Sequence, residues 1–197
     1  MNIPLYIIDA FTDKVFGGNP AAVCLLDKWL DSALLQKIAA ENNLSETAFV
    51  VKISENSYDL KWFTPATEVD LCGHATLASA YVIFNYLGFT HEEINFHTKS
   101  GILKIRRNKE LLSMDFPARK PQPAVPPKEL LEGLGATPQK VLKSRDYMAV
   151  FASEKEIIAI KPDFDMLTKV ESLGVIVTAK GEKPDFVYTK AEDQINF

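Results

Sequence analysis

The chain has 197 residues, 47% hydrophobic and 24% charged, enough for one sizeable core or two smaller lobes. Its 22 basic and 26 acidic residues leave a formal charge of −4 with no basic stretch, which excludes the electrostatic footprint of a nucleic-acid binder. No signal peptide is legible in MNIPLYIIDAF, no apolar run is long enough to span a bilayer, and Cys24 and Cys72 are too few for a disulfide framework, so a cytoplasmic protein without a membrane partner is expected.

Short apolar runs bounded by turn residues predict strands at residues 5–9, 21–26, 47–52, 58–63, 94–97, 102–105 and 112–116. Gly17-Gly18-Asn19-Pro20 is a turn signal leading into the second of these. A helix is predicted over 31–41, with Leu34, Leu35 and Ile38 on one face behind an Asp31 cap. A second, over 73–87, carries no charge from Ala75 to Leu87 and stops at Gly88. A helix apolar on every side has to be surrounded by protein, so strands are expected to wrap it.

The run from Pro117 to Pro127 holds five prolines in eleven positions and reads as a semi-rigid linker. It divides the chain into an N-terminal lobe at 1–117, a linker at 118–127 and a partial C-terminal lobe at 128–197. In the last part a helix is predicted at 128–134, with strands at 140–143, 148–152, 157–160, 174–178 and 186–188.

Chemistry concentrates at two places. Cys72-Gly73-His74-Ala75-Thr76 opens the buried helix, where free backbone N–H groups and the positive end of the helix dipole form an anion site. Gly73 allows close approach and His74 adds a donor; on the other reading Cys72 is a small core residue and His74 a satisfied cap. In Asn43-Leu44-Ser45-Glu46-Thr47-Ala48, Glu46 stands just before an apolar strand. Facing a lobe interior, it has a desolvated carboxyl able to pass a proton at neutral pH; otherwise Ser45 and Glu46 only cap a surface turn.

Cys72 and His74 could both ligate a metal, but no second pair at ligand spacing completes a site, so none is read. Neither G-x-x-x-x-G-K-[ST] nor G-x-G-x-x-G occurs, nor a nucleophile elbow. Acid/base work with no cofactor is what these residues leave.

Three stretches taken together, VFGGNPAAVCLL, NLSETAFV and WFTPATEVDLCGHATLASA, resemble the phenazine-biosynthesis F (PhzF-like) family, which shares its fold with diaminopimelate epimerase. The likeness is close over about the first 120 residues. It implies an α+β fold of two pseudosymmetric lobes, each a strand-built barrel around a central helix, with the active site between them. It also implies cofactor-free proton transfer on a small carboxylic acid, with Glu46 as general acid/base and Asn19, Ser45, Gly73 and His74 binding substrate.

In the epimerase relatives a cysteine at the place of Cys72 is one of two bases. An amino-acid racemase or epimerase using Cys72 is therefore an alternative. Those enzymes take a second cysteine from the other lobe, whereas Cys24 lies in a first-lobe strand, so the isomerase reading is favoured and Cys72 is treated as wall. Family members also carry a D-P-V-T-G-S-A-like motif in the second lobe, which this sequence lacks. The second lobe is thus expected to be incomplete, and a non-catalytic binding protein of the same fold is a third reading. The resemblance further suggests a homodimer.

Overall fold

The computed structural model describes residues 2–14, 16–109, 111–181 and 187–189. The chain divides into two compact units, Met1–Pro117 and Ala118–Phe197.

In the first unit an eight-stranded sheet is built from β1 (Leu5–Ala10), β2 (Asn19–Leu26), β3 (Glu46–Lys52), β4 (Ser57–Phe63), β5 (Glu68–Val69), β6 (Glu93–Thr98), β7 (Gly101–Asn108) and β8 (Leu111–Asp115). The order is β1-β2-β3-β4-β6-β7-β8, with β5 on β4. Two neighbouring pairs, β2–β3 and β4–β6, are parallel. Parallel neighbours need a crossover, and α1 (Ser32–Asn42) and α2 (Gly73–Tyr86) supply them. Asp31 caps α1 by accepting from the Ala33 amide at 2.9 Å, and Gly88 follows α2 at φ +64°, the left-handed value that stops a helix.

The two helices take opposite faces. Strand alternation turns Ala21, Val23, Ala48, Val50, Leu60 and Trp62 into the core around α2. Cys24, Leu26, Phe49 and Phe63 turn the other way, against Leu35 and Ala39 of α1. Burial on both faces is why these strands read as unbroken apolar runs.

The sheet curls around α2 as expected, but among the described residues it forms a half-barrel and not the closed barrel that the resemblance implied. Among the described residues β1 and β8 remain the two edges, and a groove of about 680 Å³ runs beside them, lined in part by Ile7, Phe11, Leu77, Tyr81, Tyr86 and Leu111. Tyr81 and Tyr86 are 43% and 56% exposed there. An aromatic ring with a hydroxyl tolerates that position, which hydrophobicity alone does not reveal.

The second unit pairs β9 (Gln122–Pro123), β10 (Lys140–Lys143), β11 (Tyr147–Val150), β12 (Val175–Lys180) and β13 (Val187–Thr189) in the order β13-β12-β11-β10-β9. Three short helices, α3 (Lys128–Leu134), α4 (Glu154–Ala159) and α5 (Phe164–Leu167), enclose a core of Leu130, Leu134, Phe151, Ile157, Leu167 and Val177 with their neighbours.

Two sequence expectations change here. The strand expected at 157–160 is the end of α4. Ser153 accepts from the Glu156 amide at 3.4 Å while the Glu156 carboxylate accepts from the Ala152 amide at 3.3 Å, one residue before the cap, a variant of the capping box that starts a helix. The proline run also contributes structure: β9 pairs at the sheet edge, where a residue without an N–H is tolerated, and the Ala124 amide donates to Val141 at 3.0 Å. The last predicted strand is present as β13, although Phe186 lies outside the described residues. No described helix is long and apolar enough to cross a membrane.

Candidate active site

Glu46 is the first residue of β3 and pairs in register with Ala21 of β2. The period of two that turns Ala48 and Val50 inward turns Glu46 inward as well, toward the start of α2. There Cys72, in extended conformation, precedes the first helical residue, Gly73. His74 Nε2 lies 3.2 Å from Glu46 Oε2, and Cys72 Sγ lies 3.4 Å from His74 Nδ1. Carboxylate, imidazole and thiol therefore share one pocket of protein, and Glu46, His74 and Cys72 are only 6%, 6% and 7% exposed.

Burial sets the protonation. It raises the Glu46 carboxyl from 4.5 to about 7, against the pull of a hydrogen bond from Cys72. It lowers His74 from 6.5 to about 4, so the imidazole is neutral at pH 7 and its contact with Glu46 is not an ion pair. Cys72 is pushed well above its ordinary value by burial and then by the Glu46 charge, which outweigh the Ala75 and His74 amides. The thiol is thus protonated at neutral pH, the wrong state for a nucleophile or base.

Glu46 Oε2 and His74 Nε2 lie 3.2 Å apart, and neither has a hydrogen-bond partner. Polar atoms orphaned this deep are costly to keep.

The glycines separate into two kinds. At Gly18, φ is +68° and a Cβ would sit 2.1 Å from the Ala10 carbonyl, so the turn itself demands glycine. At Gly73 the backbone is not left-handed, and a Cβ would make only an ordinary 3.5 Å contact with the Phe116 ring. The backbone conformation at Gly73 therefore does not by itself require glycine. The Cys72 side chain makes no capping hydrogen bond to the first turn of α2.

Asn19 and Ser45 stand at the same ends of β2 and β3 as the Ala21–Glu46 pair, and both are half-buried. Among the described residues neither makes a side-chain hydrogen bond to Glu46, Cys72 or His74. Cys24 is set apart: it lies on the α1 face of the sheet, where burial raises its thiol to about 11. Sequence reasoning missed two contributors. Thr76 donates its hydroxyl to the Cys72 carbonyl one turn back, and Phe116 covers Gly73. It also saw Cys72 and His74 as two ligands without a third, which Glu46 supplies only through the fold of β3 onto α2.

The chain that builds this cluster is matched across residues 8–188 by the family model of the phenazine biosynthesis-like (PhzC/PhzF) proteins. The chain belongs to this family. An uncharacterised isomerase of Pseudomonas aeruginosa is 51% identical over 187 residues, covering 95% of this PhzF-family chain and 72% of that protein. A PhzF-family crystal structure from Enterococcus faecalis superposes with a TM-score of 0.83 at 46% identity, over 93% of this chain and 70% of that one. A P. aeruginosa protein named as a predicted epimerase matches with a TM-score of 0.67 at 17% identity, over 89% of this chain and 70% of that one, which shows a shared fold alone. The mixed α+β architecture with its curled sheet is therefore that of the PhzF family.

Proposed function

We propose that this PhzF-family chain is an isomerase that moves a proton on a small carboxylic acid, with Glu46 as the group that takes and returns it. The observation that carries the reading is the buried carboxylate raised to about 7 and set 3.2 Å from a neutral imidazole at the start of a 14-residue helix. A base with that pKa is half ionised at neutral pH, which maximises the product of available base and driving force. The isomerase name of the P. aeruginosa relative supports the same class.

The site is read as follows. The substrate carboxylate lies against the backbone at Gly73 and His74, where the dipole of α2 favours negative charge. His74, neutral, orients Glu46 and donates or accepts without carrying charge of its own. Glu46 removes a proton from a carbon acidified by its neighbour, becoming a carboxylic acid whose proton exchanges with solvent, and delivers a proton to another position or face. The electrons left behind are stabilised by the anchored end of the substrate, and no external electron acceptor enters the balance. Asn19 and Ser45, at the adjacent strand ends, are proposed to line the substrate. The raised Cys72 thiol argues against the racemase alternative, since a thiolate base needs its pKa lowered.

The test is hydrogen exchange in deuterated water over a panel of small chiral and unsaturated carboxylic acids, followed by mass spectrometry. Deuterium incorporation lost in Glu46→Gln and slowed far less in Cys72→Ser supports the reading. Loss in Cys72→Ser with retention in Glu46→Gln transfers the role to the thiol. No incorporation with any acid removes the isomerase reading in favour of a binding protein.

A further inference from the structure

Glu46, Cys72 and His74 combine three ligand types that zinc accepts: a carboxylate oxygen, a thiolate and an imidazole nitrogen. One ligand atom from each lies within 4.8 Å of the other two. Tetrahedral zinc bonds of about 2.0–2.3 Å place ligand atoms roughly 3.3–3.6 Å apart, so a contraction of about an ångström closes the set. The Cys72 backbone is held, its carbonyl accepting from the Thr76 amide at 3.3 Å and from the Thr76 hydroxyl, so the contraction falls to side-chain rotations of the three ligands.

A second observation points to a ligand at the same place. Glu46 Oε2 and His74 Nε2 are both buried, face one another and lack partners. An electron-pair acceptor between them relieves two unsatisfied atoms at once. The charge count also fits a buried complex, since one carboxylate and one thiolate neutralise a divalent ion. The positive end of α2 opposes a cation, so both anionic ligands are needed to hold it.

We propose that Glu46, Cys72 and His74 form a site for a borderline-soft divalent cation of the zinc class, and that occupying it withdraws Glu46 from proton transfer. The sulfur–metal bond forms as the thiol proton leaves to solvent, with no change of oxidation state. Harder ions such as Mg²⁺, which favour all-oxygen shells, are not taken. Ligation stands on the geometry, whereas the effect on turnover rests on the reading of Glu46 as the base.

The experiment uses the full chain, freed of metal with a chelator and titrated with Co²⁺ under absorption spectroscopy, then with Zn²⁺ in competition. The expected result is a thiolate-to-cobalt charge-transfer band in the near ultraviolet that saturates at a single equivalent, is displaced by Zn²⁺ and ignores excess Mg²⁺. Cys72→Ser abolishes the band, Cys24→Ser keeps it, and His74→Gln weakens Zn²⁺ binding by at least ~10–100-fold. Circular dichroism of each variant separates lost ligation from lost folding, and His74→Gln carries the test if Cys72→Ser does not fold. Absence of the band, its persistence in Cys72→Ser, or unchanged Zn²⁺ affinity in His74→Gln overturns the site. If Glu46-dependent exchange survives saturating Zn²⁺, the inhibitory role falls. No band beside intact Glu46-dependent exchange sinks the metal proposal alone. A band beside exchange that survives Glu46→Gln sinks the base assignment and leaves the metal site standing.

Discussion

In Met1–Pro117 the buried polar side chains are Glu46, Thr47, Thr64, His74, Thr76 and Ser79, whereas the buried core side chains described in Ala118–Phe197 are aliphatic and aromatic. Most of the six are satisfied locally. Thr47 accepts from Asn42 at 3.1 Å, Thr64 donates to Thr67 at 3.1 Å, and Thr76 and Ser79 donate to carbonyls one turn back. Glu46 and His74 keep unpartnered atoms. Stability alone favours the arrangement of the second unit, where among the described residues no buried side-chain polar atom lacks a partner. The first unit carries four such atoms among its described residues, Glu46 Oε2, Trp62 Nε1, Glu68 Oε1 and His74 Nε2; only those of Glu46 and His74 belong to ionisable groups that face one another, 3.2 Å apart.

The sharpest way to break this contrast is to remove the carboxylate. Glu46→Gln is expected to lower solvent exchange by ~10²–10⁴-fold, the range for a general base, with the circular dichroism spectrum retained. Unchanged exchange on a substrate the native chain turns over reduces Glu46 to a structural residue.

The apolar core of the second unit responds in the opposite currency. Leu130, fully buried on α3, is expected to cost about 2–5 kcal/mol on substitution to alanine. Urea denaturation checks this, and a loss under about 1 kcal/mol denies the unit a close-packed core of its own.

Next in size is a pH effect. The Glu46 carboxyl, raised from 4.5 to about 7, keeps a proton in the fold that the unfolded chain has already released. Its contribution to stability is full below pH 4.5 and is lost as pH rises through about 7. His74, lowered from 6.5 to about 4, has the reverse sign: its contribution is full above pH 6.5 and is lost as pH falls through about 4. Each amounts to about 3 kcal/mol at ~1.4 kcal/mol per pH unit, and over the shared window they cancel. Glu46→Gln therefore unmasks stability that climbs with pH across the His74 window, and His74→Gln unmasks stability that declines across the Glu46 window. Urea midpoints between pH 4 and 7 measure both. Flat profiles in the two variants contradict the burial of the pair.

The smallest effect is expected at Ser79, whose hydroxyl donates to the Ala75 carbonyl at 2.7 Å inside α2. Removing donor and volume together in Ser79→Ala leaves a helical carbonyl that is already bonded along the ladder, so the change is under about 1 kcal/mol. A much larger loss assigns the hydroxyl a role in positioning the start of α2.

Much of the first unit was legible locally. The strands from residue 5 to residue 116, the Asp31 cap and the long apolar helix follow from periodicity and termini, because those signals lie within a few residues of one another. What was misread also has a local cause. Ile157 to Ile160 is β-branched and apolar, and the Ser153–Glu156 capping box outweighs that preference; Tyr81 and Tyr86 look like core by hydrophobicity and instead face the groove at an open sheet edge.

For the site, the residue types were readable and their meeting was not. Sequence alone placed Glu46 just before an apolar strand, of which it proves to be the first residue, and Cys72, Gly73 and His74 at the head of a buried helix, since both follow from local patterns. Only the tertiary structure decided that the carboxylate and the imidazole stand 3.2 Å apart, because 28 positions of chain, with β4 and β5 between, separate Glu46 from His74. It also decided that both are desolvated, which raises the Glu46 carboxyl from 4.5 to about 7. Distances across a fold are set by the register of β3 on β2 and β4 and by the packing of α2 against that sheet, and no local pattern encodes either.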